Sequence, residues 1–305
     1  FGGLADELCE GSVSQLADDV NNFFCGVASD LTQLNDDFLV SVVDDDADIS
    51  ADADLVIEPW EVERRLLNIS VNKSPGPDLL PNWFLKDMAH HIANPVCAIF
   101  NVSIKQGLVP SIWKKANVVP IAKVRPPTSV QSDLRPISLT PTLIKILESF
   151  VGNRIVHKIG PILNRNQFGA LKGRSTSHAL VSILHKWCDE LDSLGSVRAL
   201  FVDFSKAFDR VDHTLLLNKL LAFGVPKYLI RWMFSFLKGR YQRVKIGDYY
   251  SQWCKLTAGF PQGTWLGPLA FITIIDDLQP SCEVDKFIDD VTFTETLPNL
   301  DTTVS

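Results

Sequence analysis

Three aspartates carry the densest chemical signal in this chain. Asp203 closes the apolar run Ala199-Leu200-Phe201-Val202, and Asp289-Asp290 falls between two short apolar segments, 283–287 and 291–294. A carboxylate near a core is costly unless a cation or a hydrogen-bond donor compensates it. If the strand ending in Asp203 lies beside a hairpin that carries Asp289 and Asp290, three hard oxygen ligands converge. Such a set suits two magnesium ions about 3.5 to 4 Å apart in phosphoryl transfer. The residues alone leave a second outcome open, a solvated acidic surface. Another pair, Asp276-Asp277, ends an apolar helical run before Leu278-Gln279-Pro280 and is expected to be an ordinary solvated helix end.

The elements that must position these groups follow from periodicity and punctuation. Leu16, Val20, Phe23, Phe24 and Val27 recur at helical spacing, and the acidic run Asp44 to Asp54 after them reads as a loop. Lys73-Ser74-Pro75-Gly76-Pro77-Asp78 is a turn, because two prolines lacking amide donors forbid a regular helix. Helical patterns cover about 81–106, 141–160, 214–223, 227–238 and 266–278. Strand patterns fall at 116–121, 198–204, 241–246 and 252–257, the last two divided by the turn signal Gly247-Asp248. Segments 283–287 and 291–294 flank Asp289-Asp290 as a β-hairpin. Helices and strands mix without regular alternation and without an internal repeat, so the fold class is α+β.

Composition bounds the rest. The chain has 305 residues, 46% hydrophobic and 21% charged, which excludes a disordered tail and allows one large domain or two smaller ones. Its longest apolar stretch, Trp265 to Ile275, is about half the roughly 20 residues that a membrane helix needs. No secretory signal is readable at the start, and Phe1 in place of Met suggests a fragment. The six cysteines follow no zinc or redox spacing, which fits reduced thiols inside a cell, and His185 with Cys188 falls short of a metal site. The net charge of −7 conceals two signs: residues 1–63 carry no Lys or Arg, whereas the stretch from Arg64 to Cys254 is strongly basic. A basic middle can neutralise phosphates, while an acidic end with clustered aspartates can hold divalent cations.

At this point the ordered motifs resemble a family. Asp203-Phe204-Ser205-Lys206-Ala207-Phe208-Asp209, then Phe260-Pro261-Gln262-Gly263-Thr264 with Leu266-Gly267-Pro268, then Phe287-Ile288-Asp289-Asp290 look like successive motifs of the reverse transcriptases of non-LTR (LINE-like, jockey-type) retrotransposons. Upstream, Pro120-Ile121-Ala122-Lys123, Arg135-Pro136-Ile137-Ser138-Leu139, Gln167-Phe168-Gly169 and Gly173-Arg174-Ser175-Thr176 continue the match in order, over about residues 60–295. The resemblance implies a right-hand polymerase with helical fingers and an antiparallel-sheet palm. It implies that Asp203, Asp289 and Asp290 bind two Mg2+ ions, with Mn2+ a substitute and the backbone of Phe204 a further ligand. Phe208 would be the steric gate against a ribonucleotide 2′-hydroxyl. Gln262 and Gly263 would border the incoming nucleotide, Lys123 and Arg135 would grip its triphosphate, and Arg174 would track template phosphates. The partners implied are an RNA template, a DNA primer and deoxynucleoside triphosphates, with no membrane. The setting implied is intracellular, in nucleus and cytoplasm.

The resemblance also sets a division: residues 1–63 an acidic linker, 64–198 fingers, 199–305 an incomplete palm, and a reverse transcriptase domain over about 110–305, with thumb and endonuclease missing. Three positions depart from the pattern. Ile288 stands where Ala is usual, Trp265 replaces a smaller aliphatic residue, and Leu79 stands where Gly commonly follows the Pro-Gly-Pro-Asp turn. Two rival functions are weighed against RNA-directed DNA polymerase activity. One is a catalytically inactive remnant serving as a nucleic-acid-binding module. The other is a palm-type RNA-dependent RNA polymerase, against which Phe208 speaks.

Overall fold

The structure, a computed structural model, describes residues 12–43 and 55–297. The acidic run Asp44 to Asp54 lies outside the described residues. Helices α1 (Val13–Gly26), α2 (Asp37–Val43), α3 (Pro59–Leu67), α4 (Asn82–Asp87) and α5 (Ala89–Gln106) precede β1 (Lys115–Ala122), a short α6 (Val130–Asp133) and β2 (Leu134–Leu139). Next come α7 (Thr142–Ile159), α8 (Thr176–Asp192), β3 (Ser196–Asp203), α9 (His213–Ala222) and α10 (Lys227–Leu237). Strands β4 (Tyr241–Ile246), β5 (Tyr249–Tyr250) and β6 (Cys254–Lys255), helix α11 (Leu266–Ile274) and the hairpin β7 (Glu283–Phe287) with β8 (Asp290–Leu297) follow. This is a mixed α+β fold, in agreement with the irregular order of patterns in the sequence.

Two sheets divide the strands. In the first, β2 pairs antiparallel with β1, β1 pairs parallel with β4, and β4 takes β5 and β6 antiparallel at its two ends. Residues 241–255, which the linear division assigns to the palm, therefore share a sheet with 115–139. In the second, the order is β3-β8-β7, antiparallel throughout. The main core lies between the second sheet and helices α3 to α5, α7 and α9 to α11, where Phe100, Leu147, Leu217, Trp232 and Phe236 are buried. A smaller core forms where Leu16, Ala17 and Val20 of α1 press on Val118, Leu134, Val244 and Ile246.

The acidic first region thus continues into packed structure. Ser12 caps α1 by accepting from the Gln15 amide at 3.2 Å. Asp18 and Asn21 clamp Gln252, taking its amide hydrogen at 2.8 Å and donating to its carbonyl at 2.9 Å. Glu58 and Glu61 form a reciprocal capping box at the start of α3, whose Val62 and Leu66 enter the main core.

Several elements differ from the periodicity reading for local reasons. The helical pattern at 81–106 is two helices that meet at Met88 (φ −89°, ψ 5°), and the apolar period runs across the break without marking it. The strand expected at 252–257 shrinks to Cys254–Lys255, since the Gln252 amide is drawn to Asp18 of α1. Leu79 adopts φ +59°, a left-handed conformation that glycine takes at less cost, and its side chain stays exposed.

Two buried charges of opposite sign, one in the helical core and one at the edge of the first sheet, act on each other without a direct hydrogen bond. Glu148 of α7 and Arg240, just before β4, are both fully buried; burial pushes the carboxyl up to about 7 and the guanidinium down to about 10. Glu148 Oε2 accepts the Trp265 amide at 2.9 Å at the start of α11, where a carboxylate also meets the positive end of the helix dipole. Arg240 lies with its guanidinium 4.5 Å from the Phe236 ring centre and donates to the Phe236 carbonyl at 3.1 Å.

The unusual Trp265 rests on Gly152 of α7. A Cβ at Gly152 would fall 1.9 Å from the indole ring, so the absence of a side chain there is what admits the tryptophan. Gly152→Ala should lower stability by about 1–3 kcal/mol through overpacking, even though alanine favours a helix by roughly 1 kcal/mol. Trp265→Leu should restore most of the loss in the double variant. Denaturant unfolding of the four proteins checks this, and an alanine variant more stable than the parent would contradict the packing account.

Candidate active site

The register of the second sheet brings the three aspartates to one place. Asp203, the last residue of β3, lies opposite Asp290, the first of β8, and Asp290 in turn faces Phe287 of β7. Ile288 and Asp289 form the two-residue turn between β7 and β8. Asp203 and Asp290 are exposed and Asp289 is half-buried. Partial burial, reinforced by the charges of Asp290 and Asp203, raises the Asp289 carboxyl above the usual carboxylate range. Asp289 therefore feels the charge of both neighbours, and a divalent cation would relieve it. Among the described residues no three His, Cys, Asp or Glu side chains stand in a finished ligand cluster. The carboxylates share a location, and a cation would have to draw them together.

The turn is held from outside. Ile288 adopts φ +60°, a left-handed conformation that costs a β-branched residue free energy. The loop 166–169 secures it: Lys286 donates its amide to the Asn166 carbonyl at 2.8 Å, Phe168 donates to the Lys286 carbonyl at 2.8 Å, and the Gln167 side-chain oxygen accepts the Ile288 amide at 3.2 Å. Gly169 fits because a Cβ there would come within 2.4 Å of Ile288 Cγ1. The buried Lys286 ammonium donates to the Ile275 and Asp276 carbonyls at 2.8 and 3.0 Å. The pair read as a solvated helix end is engaged: Asp276 accepts the Asn164 amide at 2.7 Å, and Asp277 meets Lys219 at 2.6 Å. Arg174 also serves this loop. Its Nη1 donates to the Arg165 carbonyl at 2.7 Å and to the Gln167 carbonyl, which commits that nitrogen to the hairpin's support.

After Asp203 the chain turns through Phe204 to Arg210, and the segment 259–263 is laid against it. Phe260 donates its amide to the Phe208 carbonyl at 2.8 Å and Gly259 to Val211 at 2.9 Å. Gly259, at φ +74°, approaches so closely that a Cβ would stand 2.4 Å from the Asp209 carbonyl oxygen. Phe204 and Phe208 both pack on Phe271 of α11, with ring centres 5.7 and 5.9 Å away. Gln262 joins three elements: its carbonyl accepts from Ser138 of β2 at 3.0 Å, while its amide nitrogen donates to both carboxylate oxygens of Asp209 at 3.3 and 3.2 Å. Gly263, at φ +102°, is exposed beside them.

Asp209 is a residue whose part periodicity could not reveal. Burial raises its carboxyl above the ordinary range, offset by the Gln262 amide and by Lys206 and Lys123 nearby. It holds the nitrogen end of the Gln262 amide, at the edge of a pocket that Asp209, Gln262 and Ser138 line. Lys123 and Arg135 are exposed on the β1-β2 hairpin, with the Lys123 amide held by the Asp133 carbonyl at 2.7 Å. His185 turns to Asp189 at 3.5 Å, and Cys25, Cys97, Cys188, Cys254 and Cys282 are free thiols.

Comparison with known proteins identifies the family. Residues 114–298 match the family model described as reverse transcriptase (RNA-dependent DNA polymerase). The chain is 31% identical over 233 residues to the RNA-directed DNA polymerase from mobile element jockey of Drosophila melanogaster, covering 74% of this chain and 25% of that protein. It is 31% identical over 246 residues to the probable RNA-directed DNA polymerase from transposon X-element of the same fly, 78% of this chain and 27% of that protein. For the probable RNA-directed DNA polymerase from transposon BS, also of that fly, the figures are 31% over 230 residues, 73% and 25%. The chain therefore spans about a quarter of the length of the curated relatives it matches. Among the described residues no helix is long and apolar enough to cross a membrane.

The electrostatic coupling at the turn is directly measurable. In metal-free protein, Asp290→Asn should lower the Asp289 pKa, and Asp203→Asn should lower it by a smaller amount, because Asp290 is the stronger of the two acidic neighbours. Carboxyl carbon NMR titration reads the shift; an Asp289 pKa indifferent to both substitutions would mean that the three groups do not share a field.

Proposed function

This chain belongs to the reverse transcriptase (RNA-dependent DNA polymerase) family, and we propose that it is catalytic-core sequence of a non-LTR mobile element's RNA-directed DNA polymerase, adding deoxynucleotides to a primer 3′-hydroxyl on an RNA template. The observation that carries this reading is the pairing of Asp203 with Asp290 beside the Asp289 turn, with Phe208 and Gln262 on the adjoining loops. In this reading the sheet containing β1, β2 and β4 with helices α3 to α8 serves as fingers, and the β3-β8-β7 sheet as palm.

Asp203, Asp289 and Asp290 would hold two magnesium ions, with the Phe204 carbonyl as a further oxygen. The donor set fits, since it is all oxygen and carries negative charge that the protein leaves uncompensated at Asp289. Such ions, when bound, supply positive charge that lowers the pKa of the attacking hydroxyl and steadies the leaving pyrophosphate. The protein's own groups orient and select. Phe208, braced on Phe271, fills the space that a 2′-hydroxyl needs. Gln262, its amide oriented by Asp209, borders the sugar, and Gly263 permits close backbone approach. Lys123 and Arg135 neutralise the triphosphate.

Extension of a DNA primer on a homopolymer RNA template tests the reading. The chain should incorporate deoxynucleotides, and Asp289→Asn should lose at least about a hundredfold, the equivalent of several kcal/mol of lost charge stabilisation. Phe208→Val should raise ribonucleotide incorporation. Equal background in parent and Asp289→Asn would leave only a nucleic-acid-binding module, and preferential use of ribonucleotides by the parent would point to an RNA polymerase.

Cation binding has a separate readout. The folded-state pKa of Asp289 is raised, so its contribution to stability is greatest at low pH and is lost as pH rises through that pKa. At neutral pH, Mn2+ or Mg2+ at about ten times its dissociation constant should therefore stabilise the parent by about 1.4 kcal/mol, a shift of a few degrees in Tm. Asp289→Asn should show little shift. A parent protein indifferent to both cations would count against the ligand assignment.

A further inference from the structure

Two cysteines that share no sequence motif meet where α1 crosses the first sheet. Val244 and Ile246 of β4 face α1, so Gln242, of the same parity, faces it too, and Cys254, directly opposite Gln242 on β6, lies on that same side. Cys25 stands one turn beyond Asn21 on the matching stripe of α1. The Gln242 side-chain nitrogen donates to Asn21 Oδ1 at 3.3 Å and to Cys25 Sγ at 3.4 Å, which brings the Cys25 sulfur beside the residue that pairs with Cys254. The two side chains are in hydrogen-bonding contact, and both are free, half-buried thiols. Cys97, by contrast, is buried in the main core and gives its hydrogen to the Ile57 carbonyl at 3.0 Å, and Cys188 is exposed on α8.

The last turn of α1 also braces the loop after Asp203. Phe23 lies 4.4 Å from the Lys206 ammonium, and the Val27 carbonyl accepts from Arg210 Nη1 at 2.9 Å. Phe24, Cys25 and Val27 line one pocket together with Asp209 and Gln262. Whatever holds this turn to the sheet therefore also restrains the segment that borders the aspartates.

We propose that Cys25 and Cys254 are a redox pair that closes to a disulfide when a peroxide reaches it, fastening the last turn of α1, and with it the loop 204–210, to β6. Burial, reinforced by the neighbouring Cys254 thiol, pushes the Cys25 thiol up and keeps it protonated, so the first oxidation falls on Cys254. Its sulfur attacks one peroxide oxygen, the O–O bond breaks, the other oxygen leaves as water, and a sulfenic acid remains. The Cys25 sulfur then displaces the hydroxyl group: the S–S bond forms, the S–O bond breaks, and the Cys25 proton departs with the hydroxyl as a second water. Two thiols and one peroxide thus become one disulfide and two waters. A reducing thiol reverses the step by exchange, so the pair stays open in a reduced compartment and closes under oxidative load. The proposal stands apart from the polymerase reading, since it concerns only how α1 is held.

Peptide mapping of the whole chain tests it. The reduced protein is treated with hydrogen peroxide, remaining thiols are blocked, and the digest is read by mass spectrometry. A linked Cys25–Cys254 peptide should predominate and should vanish with dithiothreitol. The oxidised parent should melt about 5 °C or more above the reduced parent, because a bond closing so long a loop restricts the unfolded chain. Cys25→Ser and Cys254→Ser should each show no such rise, and amide hydrogen exchange over 204–210 should slow on oxidation of the parent alone. Recovery of the two cysteines as separate sulfinic acids, or linked chiefly to other cysteines, would overturn the pairing. Linkage that leaves exchange over 204–210 unchanged would overturn the fastening of the loop.

Discussion

The antiparallel register between β3 and β8 is the constraint on which the site depends. Side chains alternate across a strand, so a slip of one residue would send every β3 side chain to the other face of the sheet and separate Asp203 from Asp290. The register is secured on both sides of the pair. Val202 lies opposite the buried Val291, α8 reaches the far strand through Lys186 and Ser182 on the buried Asp285 at 3.0 and 3.2 Å, and Trp187 donates to Thr294 at 3.3 Å. The position of three carboxylates is thereby set by apolar packing and by hydrogen bonds well away from them.

How much of this was legible in the sequence depends on the range of the interaction. The strand ending at Asp203 and the hairpin around Asp289 could be read because each is a local pattern of apolar residues, and motif order supplied the family. Strand β2 and helices α2, α3 and α8 were not read from periodicity. In β2 the proline and the serine interrupt the alternation, and in α8 the apolar residues Leu180, Val181 and Leu184 are exposed. Roles set by long-range backbone contacts were out of reach. Arg174 looks like a free cation until the carbonyls of residues 165 and 167 are seen around it, and Asp209 looks like a surface acid until the Gln262 amide lands on it. Glu148 lies in a helix buried on nearly all sides, where the surrounding sequence gives no sign that it caps a helix 117 residues away.

Buried charges mark the region where the first sheet meets the helical core. Arg240 enters the core on the Phe236 ring just before β4 begins, and Glu148 reaches from α7 to the start of α11. At the opposite side, Asp30 of the acidic region binds Arg210 at 2.7 Å, and Phe23 of α1 lies 4.4 Å beneath the Lys206 ammonium, within the loop that follows Asp203. The first region of the chain is thus in direct contact with the segment that borders the aspartates.

The left-handed isoleucine at the hairpin tip has a consequence for how this sequence can vary. Its side chain occupies the space that any residue larger than glycine at 169 would need, and its amide uses the oxygen of Gln167. Positions 167 and 169 are therefore tied to the backbone of the turn as well as to the side chain at 288. A smaller residue at 288 would still leave glycine required at 169, because a Cβ there would also stand 2.7 Å from the backbone nitrogen of 288, and the amide would still need the Gln167 oxygen.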